Sequence, residues 1–193
     1  MSPDLASDLA NGLANSVSVV VVMGVSGSGK STIASMLANK LGWTYEDADW
    51  FHPKSNVDKM QAGQPLTDED RKPWLEAIAR HIDALRKGGE HAVIACSALK
   101  RAYRDILIGA RPDVRLVYLK GARDLIARRI ATRHGHFMSP ELLDSQFAAL
   151  EEPRADERPI VTSIAPHPRE IVKDIVSTLE QSVAHRRAAA GRA

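Results

Sequence analysis

The stretch Gly24 to Ser31, GVSGSGKS, constrains this chain more than any other. Glycine at the first and sixth places, then Lys and Ser, fits the phosphate-loop pattern G-x-x-x-x-G-K-[ST]. Glycine lets the backbone take positive φ and approach a ligand closely. Successive N–H groups of Gly24, Val25, Ser26, Gly27, Ser28 and Gly29 then form a nest for phosphate oxygens. A helix opening near Lys30, with Ser31 and Thr32 in its first turn, adds the positive end of its dipole. Context supports the match. Val17 to Met23 is an apolar run, as expected of a buried parallel strand. Ile33, Met36, Leu37 and Leu41 follow at helical spacing.

The alternation continues through the chain. Trp43–Asp47, His91–Cys96, Val114–Leu119 and Pro159–Ile164 read as further strands. Between them, the residues from Trp74 to Leu85, about 101–108, 122–133 and 171–183 read as helices. This predicts an α/β fold: a three-layer parallel sheet with helices on both faces. One domain spans 17–184, with a loose tail at 1–16 and another at 185–193. Two insertions interrupt it: an irregular stretch at about 50–73, broken by Pro53, Gly63 and Pro65, and a lid at about 134–153.

Composition narrows the function. The 193 residues carry a net charge of +2, too little to imply a nucleic-acid or membrane partner. Cys96 is the only cysteine, which excludes an intrachain disulfide and points to a reducing, cytoplasmic setting. The D-x-x-G and N-K-x-D motifs of GTPase switches are missing, as is a Leu-Ser-Gly-Gly-Gln transporter signature. Asp47 and Asp49 stand at i and i+2 at the end of an extended segment, so both carboxylates share one side. A carboxylate pair, a basic insert and an arginine-bearing lid around a phosphate loop describe a small-molecule kinase. Within that plan Lys30 bridges β- and γ-phosphates, Ser31 binds Mg²⁺, and Asp47 orders a metal-bound water. Asp49 is the candidate base for an acceptor hydroxyl.

Several blocks are more specific than the loop. DADWFHP (Asp47 to Pro53), KMQAGQPLTDEDRKPWL (ending at Leu75), CSALKRAYRD (Cys96 to Asp105), YLKG (Tyr118 to Gly121), GHF (Gly135 to Phe137) and the stretch Gln146 to Arg158, with EEPRADER, resemble the gluconokinase family over about residues 17–180. That resemblance implies a P-loop fold of the nucleoside-monophosphate-kinase and shikimate-kinase type with a mobile lid. It implies ATP and Mg²⁺ as cofactors, the 6-hydroxyl of D-gluconate as acceptor, and a homodimer working in the pentose phosphate pathway or a related route. A kinase for another hydroxy acid or polyol, or a nucleotide-binding protein without turnover, remains the alternative.

A carboxylate substrate calls for a cationic anchor. Arg71 offers a planar fork and, by resemblance, takes that role. His52, Ser97, Lys100 and Arg104 are further substrate-side candidates; the alternatives are a loop-packing imidazole for His52 and a solvated charge for Arg104. By resemblance, Arg129 stacks on adenine and Arg133 reaches the phosphates, with an ordinary helix-surface pair as the alternative. Trp43, Trp50 and Trp74 are expected to pack, and Cys96 to be a small apolar strand residue.

Overall fold

The computed structural model describes residues 13–131 and 140–190. Five parallel strands form one sheet: β1 (Val19–Met23), β2 (Thr44–Asp47), β3 (Ala92–Ala95), β4 (Val114–Lys120) and β5 (Ile160–Ser163). Their spatial order is β2-β3-β1-β4-β5. The helices are α1 (Lys30–Leu41), α2 (Lys54–Gln61), α3 (Asp68–Gly88), α4 (Arg101–Leu107), α5 (Arg123–Ala131), α6 (Pro140–Ala149) and α7 (Pro168–Ala190).

β1 is buried along its whole length, and its side chains divide by parity. Val20 and Val22 join Ile33, Leu37 and Leu41 of α1 and Ile171, Ile175 and Leu179 of α7 in one core. Val19, Val21 and Met23 join Trp74, Leu75, Ile78 and Ile82 of α3 and Leu107 of α4 in the other. Alternate residues of a strand face opposite sides of its sheet. One sheet between two helical layers is therefore the three-layer α/β architecture the sequence predicts. Its central strand pairs with β3 on one side and β4 on the other. That reversal of direction opens a crevice at the carboxyl ends, where ligands bind in such sheets.

Three expectations need correction. The stretch 50–73 is not irregular: Ala48–Phe51 is a 3-10 turn, α2 comes next, and α3 starts at Asp68 rather than near Trp74. Thr67 and Asp70 form a reciprocal capping box that starts the helix five residues before Pro73. Pro73 is exposed, so the Glu69 carbonyl that loses its donor can turn to water. At the chain ends, α7 continues to Ala190, past the expected boundary at 184. Leu13 and Val17 are buried in the first core, so the expected tail is tied down before residue 16. Among the described residues no helix is long and apolar enough to cross a membrane.

Candidate active site

The loop between β1 and α1 has the shape its composition predicts. Gly29 caps α1 at φ 95°, ψ 19°, a left-handed conformation that side chains disfavour. Gly27 has φ 79°, and a Cβ there would lie 2.7 Å from Ile130 Cγ1. α5 thus packs directly against the loop. Lys30 folds back over it, donating from Nζ to the Val25 carbonyl at 3.2 Å. The Ser28 hydroxyl is buried with no hydrogen-bond partner. A cradle closed to a Cβ at Gly24 and Gly27 and holding an orphaned hydroxyl suits a polar ligand such as phosphate.

Asp47 ends β2, and its carboxylate shapes the 3-10 turn beyond it. Oδ1 caps that turn by accepting from the Asp49 N–H at 3.1 Å. Oδ2 accepts from the Tyr45 hydroxyl at 3.1 Å. The cap coexists with a place in the site, because Asp47, Asp49, Lys30, Ser31 and Ser97 all line one cavity of about 270 Å³. Tyr45 lies between Ser31 and Asp47; burial, then the Asp47 charge against the Ser31 contact, raises its phenol above the ordinary range.

Asp49 has its carboxyl raised above the ordinary range, first by desolvation and then by the neighbouring Asp47 charge, while His52 and Lys30 oppose this. Its side chain is 83% exposed, so the desolvation is that of a cleft wall rather than a core. Behind it His52 is buried, stacked on Trp74 with centroids 4.3 Å apart and planes at 10°. Its Nδ1 meets Asn56 Nδ2 at 3.3 Å. An amide nitrogen can only donate, so Nδ1 accepts and the proton sits on Nε2, 3.9 Å from Asp49 Oδ1. Burial, the largest cause, pulls this imidazole's pKa down, so the ring stays neutral to lower pH than an ordinary histidine. Trp74 in turn donates from Nε1 to the Ala48 carbonyl at 2.7 Å. Trp43 also packs, stacked on His91 at 4.9 Å. Trp50 does not: it is 68% exposed beside Asp49, touching only the edge of Tyr45 among rings.

The basic candidates separate. Arg71 donates from one terminal nitrogen to the Leu66 carbonyl at 2.6 Å and lies 3.8 Å from Asp68. Its charge lowers the His52 pKa, which puts it beside the Asp49 turn. Lys100 is held by Asp68 at 2.6 and 2.9 Å, and Tyr103 donates to the same carboxylate at 2.5 Å. Neither Arg71, His52 nor Lys100 lines the cavity with the loop; they form a second cluster next to it. Arg104 is the clear correction. Expected at the substrate, it is 2% exposed, its guanidinium forked on Glu157 and donating to the Ala98 and Leu99 carbonyls. It braces the segment after β3 instead. Burial pushes the Glu157 carboxyl up, but Arg104 overrides this and leaves it below the usual range.

Arg129 lies on the other side of the loop. It lines a cavity of about 250 Å³ with Gly27, Ser28, Thr32, Ile33, Pro168 and Ile171. The apolar wall and the adjacent loop suit a nucleoside, and Arg129 donates to the Ile164 carbonyl at 2.6 Å. Arg133 lies outside the described residues. Cys96 is buried and its thiol pushed up to about 12 by burial, so it is an unreactive apolar residue at a strand end. Tyr45, Asn56, Asp68 and Gln146 are site residues that sequence reasoning missed. The capping box would have signalled the start of α3; Tyr45 and Asn56 pair locally with Asp47 and His52, whereas Asp68 and Gln146 pair across the chain with Lys100 and Ser26 and leave no local trace.

A parallel sheet of this order, with a phosphate loop facing a carboxylate pair across a cleft, defines a P-loop kinase. Residues 19–153 match the family model described as an AAA domain. The chain belongs to the gluconokinase family. It is 43% identical over 162 residues to the thermoresistant gluconokinase of Escherichia coli K12, covering 84% of this chain and 91% of that one. It is 45% identical over 157 residues to the gluconokinase of Gluconobacter oxydans 621H, covering 81% and 88%. A solved gluconokinase structure from Sinorhizobium meliloti 1021 superposes with a TM-score of 0.82 at 38% identity, covering 90% of this chain and 98% of that one.

Proposed function

We propose that this enzyme transfers the γ-phosphoryl group of ATP to the 6-hydroxyl of D-gluconate, giving 6-phosphogluconate and ADP. The observation that carries it is the single cavity shared by Lys30 and Ser31 with Asp47 and Asp49. Phosphoryl transfer needs positioning and charge stabilisation more than covalent chemistry. Lys30 follows the charge on the β- and γ-phosphates. Ser31, Asp47 and ordered waters suit Mg²⁺, a hard cation that takes oxygen ligands and keeps several waters. When bound, such an ion would draw charge off the phosphates; the chain's own part is to aim the acceptor. Asp49 accepts the hydroxyl proton, and the His52 Nε2–H stands 3.9 Å behind it. Arg71, which keeps Nε and its second terminal nitrogen unbonded among the described residues, takes the gluconate carboxylate. A cytoplasmic homodimer supplying the pentose phosphate pathway is the setting this activity implies.

The test is ADP release across gluconate, other aldonates, shikimate and nucleoside monophosphates. Gluconate is expected to lead in kcat/KM by at least ~10²-fold, since a site built for specific polar groups discriminates strongly against analogues lacking them. Equal rates across the panel would remove the substrate assignment. Arg71→Ala is expected to raise the gluconate KM by about 10- to 100-fold, the worth of a charged hydrogen bond, with the ATP KM unchanged.

A further inference from the structure

One wall of the catalytic cavity comes from α6, which lies in the connection from β4 to β5. The Ser26 N–H donates to Oε1 of Gln146 at 2.7 Å, across 120 positions of sequence. Gln146 thereby lines the same cavity as Lys30, Ser31, Asp47 and Asp49. Ser26 occupies the third place of the phosphate loop, and its N–H is one of the donors of the anion nest. A neutral amide oxygen therefore occupies a donor built for a phosphate oxygen. The other end of the same carboxamide, Nε2, has no hydrogen-bond partner among the described residues. The residue is also firmly placed. Leu143, three positions earlier on α6, is 3% exposed in the core. Just beyond the helix, the Glu151 N–H donates to the Leu99 carbonyl at 2.9 Å, and Glu151 Oε2 accepts from the Arg101 N–H at 2.7 Å.

We propose that Gln146 is a residue that contacts the terminal phosphate of the nucleotide. A phosphate oxygen takes the Ser26 N–H, because hydrogen bonds to an anionic oxygen are roughly twice as strong as neutral ones. The displaced carboxamide then presents its Nε2 hydrogens to that phosphate. The group that fills the nest without nucleotide becomes a donor to the phosphoryl group that moves. This rests on the ATP-dependent reading of the site, but not on the identity of the acceptor.

The test is equilibrium binding of Mg·ADP and of a Mg-bound non-hydrolysable ATP analogue to the full chain, with no acceptor present. In Gln146→Ala, ADP affinity is expected to stay within about twofold, whereas the analogue weakens about tenfold, the loss of a donor to a charged group. Gln146→Glu retains an acceptor for the Ser26 N–H but sets a negative charge against the phosphate. It is expected to weaken the analogue further, again with ADP little affected. Equal shifts for the two nucleotides, or none in either variant at unchanged melting temperature, would overturn the proposal. Failure of the gluconate assignment would appear in the substrate panel and leave these binding ratios untouched.

Discussion

Trp74 holds the turn that carries Asp49, and Trp74→Phe isolates how. The substitution keeps an aromatic ring against His52 but removes the Nε1 donor to the Ala48 carbonyl, a buried 2.7 Å bond. Ala48 is fully buried, so no solvent reaches the orphaned carbonyl. An unsatisfied buried acceptor costs about 1–3 kcal/mol. The smaller ring leaves a void worth about another 1 kcal/mol. The sum, about 2–4 kcal/mol, corresponds for a chain of 193 residues to a melting temperature lower by about 5–10 °C. The kinetic consequence is directional. Asp49 comes directly after Ala48, whereas the phosphate loop rests on the opposite core. kcat is expected to fall about tenfold, the scale of a misplaced positioning contact, while the KM for ATP stays within about twofold. Thermal unfolding and steady-state kinetics on one preparation supply both numbers. A melting temperature within about 2 °C of the unsubstituted protein would show that the indole bond does not hold the turn. An ATP KM that rose with the gluconate KM would show that the two cores are not independent.

Arg104→Met leaves Glu157 buried without its cation and is expected to destabilise the chain by about 3–5 kcal/mol in urea titration. Pairing it with Glu157→Gln should recover most of that loss, and a turnover deficit persisting in a stable double variant would restore Arg104 to the substrate. Asp83 is held at about 2, chiefly by its Arg111 hydrogen bonds against desolvation, with Arg86 assisting. A depressed carboxyl stabilises above its unfolded pKa, and that stability is lost as pH falls through about 4 toward 2. Asp83→Asn should therefore lower the melting temperature at pH 7 and shrink its further fall on acidification. An unchanged acid slope would mean that the Arg111 bridge stores no pH-dependent stability.

The architecture was legible because its signals are local. Apolar runs marked the strands, helical spacing marked α1 and α3, and the glycine pattern marked the loop. What escaped depends on distant pairing. Arg104 looks like a surface charge until Glu157, 53 positions away, folds over it. Lys100 looks free until Asp68 closes on it from the start of α3. Gln146 has no helical or strand periodicity to betray its reach to Ser26. α2 and the first turn of α3 were hidden by a different cause: Pro53, Gly63 and Pro65 read as breakers, although α2 starts directly after Pro53 with no side-chain cap and α3 starts at the Thr67–Asp70 box. Trp50 shows the limit of residue type as a guide to burial, because a large ring at a cleft mouth can stay in water.

The sheet also works as a partition. The loop, Arg129 and the Ile171 wall rest on one of its helical layers, while the Asp49 turn, Arg71 and Asp68 rest on the other. On the proposed reading, donor and acceptor are thus held by separate pieces of scaffold that meet only along the carboxyl edge. A chain built this way can acquire a taste for a new alcohol by revising α2 and the start of α3, leaving its grip on the energy-rich partner as inherited.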